Sequence, residues 1–149
     1  MEIKNLNPFK EKTNTENLAV MLTYNCQMEC SYCSIDRSRP DMPEDVLFKS
    51  IDLLLTSPLE EVELQFFGGE PLLRWDLIKK GINYAQRKSQ QKNKKIKYLL
   101  TTNGLLLDEE KTSFLKKYKI TVMFSLDGDE KTQLQNRPLI NQKNTPRNY

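Results

Sequence analysis

LAVMLTYNCQMECSYC, residues 18–33, decides the reading of this chain. Its first six residues form a nearly continuous apolar run, the pattern of a strand buried on both faces of a parallel sheet. The three thiols of the chain follow at once, Cys26, Cys30 and Cys33, in the order C-x-x-x-C-x-x-C. An odd count in a chain that reads as cytosolic argues against a disulfide framework. Structural zinc asks for four strong ligands, usually Cys and His, and the sequence has no His. Three plain core cysteines are the bland alternative, because free Cys is often simply buried. The neighbours Asn25, Gln27, Glu29, Ser31 and Ser34 describe a polar loop instead. Thiols that converge from a loop favour a metal. Three thiolates on a four-iron cluster leave one iron without a protein ligand, whereas an electron carrier normally supplies a fourth Cys. The spacing points to an iron–sulfur site with a corner open for substrate chemistry.

Outward from this stretch, residues 1–17 are polar and aperiodic and are expected to form an arm. Pro43, Glu44 and Asp45 make a helix start, and Leu47, Ile51, Leu54 and Leu55 share one helical face before Pro58 ends it. A second strand at 62–67 runs into Gly68-Gly69-Glu70-Pro71. Asp76 is expected to cap the next helix, whose apolar stripe is Ile78, Ile82 and Ala85. A third strand at 96–100 runs into Thr101-Thr102-Asn103-Gly104. Asp108, Glu109 and Glu110 charge the first turn of a third helix, which buries Phe114, Leu115 and Tyr118. A fourth strand at 121–126 ends at Asp127-Gly128. Beyond Asn136 the chain is polar and twice broken by Pro, and residues 138–149 are expected to be disordered.

Strands separated by helices run parallel, so the pattern predicts an α/β fold. Every strand is followed directly by a polar or Gly-containing cluster: the cysteines, GGEP, TTNG and SLDG. Each cluster alone reads as a turn. Together they line one rim, because ligands in parallel α/β architectures bind at the carboxyl ends of the strands.

Composition closes off other classes. With 38% hydrophobic and 29% charged residues, the chain can bury a core and keep a wet surface. The longest apolar run is 18–22, so no membrane-spanning helix is expected. The start lacks the apolar stretch of a secretory signal, which makes the cytoplasm the expected compartment. The absence of His removes Ser-His-Asp triads and His-ligated metals. A net charge of +3 is too small to imply nucleic acid, although Arg87, Lys88, Lys92, Lys94, Lys95 and Lys97 crowd one segment. A solvated helix end and loop is the preferred reading of that segment, and no nucleic-acid partner is expected.

C-x-x-x-C-x-Y-C after a first strand, then FFGGEPLL, TTNGLLL and FSLDG, with Arg137 twelve residues after Ser125, resembles the radical S-adenosylmethionine family. Within it, the likeness is greatest to the sulfatase-maturating and SPASM-type peptide-modifying enzymes, and it covers residues 18–137. The resemblance implies a partial parallel (β/α) barrel of about four βα units, the amino-terminal part of a core that takes about six strands. It implies that Cys26, Cys30 and Cys33 hold a 4Fe–4S cluster whose open iron binds S-adenosylmethionine through its amino and carboxylate groups. Tyr32 would pack near the adenine, and Gly68 and Gly69 would let the backbone approach the methionine part. Glu70 would accept from the cofactor's ammonium. Ser125 would bond the ribose, with Asn103 on the same rim, and Arg137 would face the carboxylate.

The implied activity is reductive cleavage of S-adenosylmethionine to a 5′-deoxyadenosyl radical, which takes hydrogen from a peptide or protein. A flavodoxin- or ferredoxin-type protein would donate the electron. The other reading is a non-catalytic fragment that binds cluster and cofactor and needs a missing C-terminal part or a partner chain. The sequence departs from the family after SLDG, where Asp129, Gln133 and Leu134 stand in place of a Pro and a His-Asp pair. No cysteine is left for an auxiliary cluster.

Overall fold

The computed structural model describes residues 16–140. Its element order is β1 (Asn17–Met21), α1 (Glu44–Leu54), β2 (Glu61–Phe67), a 3-10 turn (Pro71–Arg74), α2 (Trp75–Gln91), β3 (Lys95–Thr102), α3 (Glu109–Lys117), β4 (Thr121–Phe124) and α4 (Glu130–Asn136). The four strands form one open sheet in the order β1-β2-β3-β4. Every pairing is parallel, and the register brings Met21 beside Phe67, Phe66 beside Leu100, and Thr102 beside Phe124. Each strand thus ends at the same edge. The α/β fold expected of a partial parallel barrel is present, as one open four-stranded sheet.

One face of the sheet carries the core. Val20, Leu64, Phe66 and Leu100 alternate along their strands and meet Leu47, Ile51 and Leu54 of α1 and Ile78, Ile82 and Ala85 of α2, all buried. A buried phenylalanine or leucine in such a layer contributes about 1.5–3 kcal/mol relative to exposure. The alternate residues Gln65, Phe67, Thr101 and Met123 belong to the opposite face, where Phe67 and Met123 are exposed.

Local departures from the sequence pattern have physical causes. Asp76 does not cap α2; it sits in the first turn, and Arg74 occupies the cap position. The helical turn starts earlier because Glu70 accepts from the Leu72 N–H and Pro71 supplies a preset φ. Pro58 is not the terminator of α1, which ends at Leu54 with the Leu55 N–H still bonded to the Ile51 carbonyl. The carbonyls beyond that end are taken by lysines: Lys92 Nζ reaches Leu55 O at 3.4 Å, and Lys94 Nζ reaches Ser57 O at 2.6 Å and also Leu59 O. Part of the basic segment therefore serves as a helix C-terminal cap. In α3 only Leu115 is buried; Phe114 and Tyr118 are half-buried in a ring cluster with Trp75.

The helix α4 has no counterpart in the apolar periodicity, because Leu134 is its one large apolar residue. Its start is nevertheless encoded, since the Asp129 carboxylate accepts from the Thr132 N–H at 2.9 Å. The chain after α4 is also ordered further than its composition suggests. Glu29 N donates to Pro138 O at 2.7 Å, Ser31 N to Asn136 O at 2.8 Å, and Ile140 N to Gln27 O at 2.9 Å. Residues 138–140 form an antiparallel ribbon with the cysteine loop, centred on the Met28–Leu139 bridge. Asn17, assigned to the arm, begins β1, and the Glu16 carbonyl accepts from the Glu63 N–H at 2.8 Å; residues 1–15 and 141–149 lie outside the described residues.

Candidate cofactor site

The four clusters meet at the carboxyl edge of the sheet. Leu22 N donates to Phe67 O at 3.0 Å, continuing the β1–β2 ladder by one step. The double glycine then zips onto the entry of the cysteine loop: Gly69 N bonds Thr23 O and Glu70 N bonds Asn25 O, both at 2.8 Å. A side chain has no room there. A Cβ on Gly68, whose φ is +145°, would lie 2.4 Å from Thr23 O, and one on Gly69 would lie 2.3 Å from Asn25 O. The glycines are required first by the chain's own backbone, which they hold against the loop that carries Cys26.

Glu70 sits behind this junction and is 1% exposed. Its Oε1 accepts from Leu72 N at 3.0 Å and from the Thr102 hydroxyl at 2.7 Å, and its Oε2 accepts from Asn103 N at 2.8 Å. One carboxylate thus ties the end of β2 to the end of β3. Asn103 is oriented in turn by its Oδ1, which accepts from Leu105 N at 3.0 Å. Its Nδ2 points at Cys26 Sγ, 3.7 Å away, and Met28 N donates to the same sulfur at 3.3 Å. Burial pushes the Cys26 thiol up, with the Met28 N–H acting against it. Burial also raises Cys30, opposed by the Arg137 charge.

At the other side of the site, the Tyr32 hydroxyl donates to Asp127 Oδ2 at 2.6 Å, and Arg137 Nε donates to Asp127 Oδ1 at 2.9 Å. The guanidinium carbon lies 5.3 Å from the centre of the Tyr32 ring. The phenol and the guanidinium hold the Asp127 carboxyl below the usual carboxylate range, the phenol contributing most.

An open cavity of about 230 Å³ lies here, and its lining includes Cys26, Cys30, Cys33, Tyr32, Gly68, Gly69, Asn103, Ser125 and Arg137. Every residue the sequence singled out is therefore on its wall except Glu70, whose carboxylate is bonded to Leu72, Thr102 and Asn103. Ser125 is placed by its backbone N–H, bonded to Thr102 O at 2.9 Å. Among the described residues no three Cys, Asp or Glu side chains converge on a point suited to a single metal ion. Arg37 and Asp127 escaped the sequence reading. Arg37, also on the cavity wall, donates to the carbonyls of Cys26, at 3.4 Å, and of Met28, so it braces the loop. Arg37 lies in no recognisable pattern, and Asp127, although part of the SLDG cluster, reads in the sequence only as a turn.

The family model for the radical SAM superfamily matches residues 20–149. The chain belongs to the radical SAM superfamily. Among radical SAM relatives, it is 32% identical over 120 residues to a cysteine-type anaerobic sulfatase-maturating enzyme of Clostridium perfringens, covering 75% of this chain and 32% of that protein. It is 26% identical over 149 residues to the radical SAM cyclopropyl synthase TigE of Paramaledivibacter caminithermalis, covering 88% of this chain and 31% of that one. The structure of native anSMEcpe with bound AdoMet and Cp18Cys peptide superposes with a TM-score of 0.74 at 30% identity, covering 83% of this chain and 34% of that chain. The chain spans about a third of the length of these relatives. Among the described residues no helix is long and apolar enough to cross a membrane.

Proposed function

We propose that this chain is the cofactor-binding part of a radical SAM enzyme that modifies a peptide or protein, with Cys26, Cys30 and Cys33 holding a 4Fe–4S cluster. The observation that carries the reading is that all three thiols and the double glycine share one cavity on one rim. A four-iron cube takes each thiolate on a separate iron, so the sulfurs have to face a common space rather than a common point. The donor set suits it: Cys26 Sγ faces two N–H groups, of Met28 and Asn103, which would bond to a cluster-bound sulfur. When bound, the cluster and S-adenosylmethionine supply one-electron reduction and a carbon-centred radical able to take hydrogen from a substrate.

The protein's own part is orientation. Gly68 and Gly69 fix the cysteine loop against the sheet, and Glu70 fixes the Asn103 turn. Ser125 and Arg137 offer a hydroxyl and a guanidinium from the far wall for the ribose and the carboxylate of the cofactor. A peptide or protein substrate is favoured by the relatives, one of which has been solved with a peptide bound. An electron carrier of the flavodoxin or ferredoxin kind would reduce the cluster, in the cytoplasm.

The exposed Met123, Phe124 and Leu126 at the outer strand favour a second reading, in which the chain binds cluster and cofactor but turns over only when a further polypeptide covers that edge. Anaerobic iron and sulfide reconstitution, followed by reductant and S-adenosylmethionine, separates these. A broad visible absorption lost in Cys30→Ala, with 5′-deoxyadenosine formed, supports the first; the absorption without product supports the second. No more than one metal per chain after reconstitution would overturn both.

A further inference from the structure

We propose that Asp127 is a positioning residue that latches the cysteine loop shut and aims Arg137 into the cavity. Its two carboxylate oxygens are divided between two elements distant in sequence. Oδ2 takes the hydroxyl of Tyr32, which stands between two of the thiols, and Oδ1 takes Nε of Arg137, at the end of α4. The backbone N–H of Asp127 is held by Gln133 Oε1 at 2.9 Å, so the carboxylate is fixed relative to α4 before it reaches the loop. Side by side with this contact runs the ribbon in which Glu29, Ser31 and Ile140 donate to Pro138, Asn136 and Gln27. The latch and the ribbon close the same gap, between the thiol-bearing loop and the chain that follows β4.

The choice of nitrogen matters. Asp127 engages Arg137 through Nε, which leaves the two terminal nitrogens on the far edge of the planar fork. That edge is the one suited to a bidentate carboxylate, and Arg137 lines the cavity. With the Tyr32 ring beneath the guanidinium, the fork is held on two sides. Asp127 thereby stays off the cavity wall and sets a residue that lines it. This inference rests on the cofactor reading above for the role of Arg137, while the latch itself is a property of the metal-free chain.

Hydrogen exchange on the unreconstituted 149-residue chain tests the latch. Asp127→Ala should speed exchange of the amides of Glu29, Ser31 and Ile140 by about tenfold or more, because bonds to a charged group are lost, and leave those of α1 and β2 unchanged. Tyr32→Phe, which removes one bond and keeps the ring, should give a smaller change at the same amides. If both variants exchange like the parent at 27–31 and 136–140, the latch is overturned. On reconstituted protein, equilibrium dialysis should show S-adenosylmethionine binding to Asp127→Ala weakened about tenfold at unchanged iron content. Unchanged affinity would overturn the aiming of Arg137. Failure of the parent to bind S-adenosylmethionine would overturn the cofactor reading and leave the exchange result to decide the latch.

Discussion

Asn103 Nδ2 lies 3.7 Å from Cys26 Sγ, and Glu70 sets it there by accepting the Asn103 backbone N–H at 2.8 Å. A residue at the end of β3 is thus aimed at a thiol after β1 by a carboxylate after β2. Hydrogen bonds to cluster sulfurs stabilise the reduced, more negative state and raise the potential. Replacing Asn103 with Leu removes one such donor. The reconstituted protein should then be harder to reduce, its oxidised-to-reduced ratio at a fixed potential rising by up to about tenfold, or ~59 mV for one electron. A redox titration followed by electron paramagnetic resonance reads this directly, and an unshifted midpoint would deny Asn103 any influence on the cluster.

Glu70 carries more structural weight than a loop acid. Removing its carboxylate leaves the Thr102 hydroxyl and the N–H groups of Leu72 and Asn103 without an acceptor in a site 1% exposed. Each orphaned donor costs about 1–3 kcal/mol, less than additively, so Glu70→Ala should lose about 3 kcal/mol or more. Glu70→Gln keeps Oε1 and opposes an NH2 group to the Asn103 N–H, for a loss of about 1–2 kcal/mol. Urea unfolding of the two variants should rank them in that order.

Gly69→Ala tests whether the double glycine serves the backbone. The new methyl would meet Asn25 O at 2.3 Å and Tyr24 O at 2.9 Å, atoms of the main chain that cannot rotate away. Overpacking of this kind costs about 1–3 kcal/mol. The loss should appear in the metal-free chain as lower stability and as faster exchange at Glu70 N, whose acceptor is Asn25 O. A variant with parental stability that merely binds the cofactor less well would restore the glycines to a purely cofactor-facing role.

How far the sequence revealed this arrangement depends on which signal each residue carries. The helices α1 and α2 were legible because Leu47, Ile51, Ile78 and Ile82 repeat with the helical period, and β1 was legible as an apolar run, although it is buried on one face only, with Val20 inside and Ala19 exposed. The rim was legible because each strand runs into a polar cluster. Two things were hidden. The ribbon at 138–140 is made by backbone groups alone, and a polar stretch broken by Pro gives no hint of a partner more than a hundred residues away. The role of Asp127 depends on Tyr32 and Arg137 arriving together from two other segments, and no local pattern encodes that meeting. The internal partners of Glu70 were hidden for a similar reason: Thr102 and Asn103 come from the end of the next strand.

The same carboxylate of Asp127 gives the stability of the chain a pH dependence. Its folded-state pKa is depressed, chiefly by the Tyr32 phenol and then by Arg137. A depressed carboxyl adds stability that is fully present above its unfolded value, near about 4, and is lost as pH falls through the folded value. Asp127→Asn cannot lose a charge it does not have, although its Oδ1 still offers Arg137 an acceptor. The parent chain should therefore be more stable than Asp127→Asn at pH 7, and the difference should shrink below about pH 4 as the parental carboxyl takes up its proton. Urea midpoints measured from pH 7 down to pH 3 on both proteins give the comparison. A gap that stays constant across that range would mean that the Tyr32–Asp127–Arg137 contact is held by shape alone and that its charge contributes nothing.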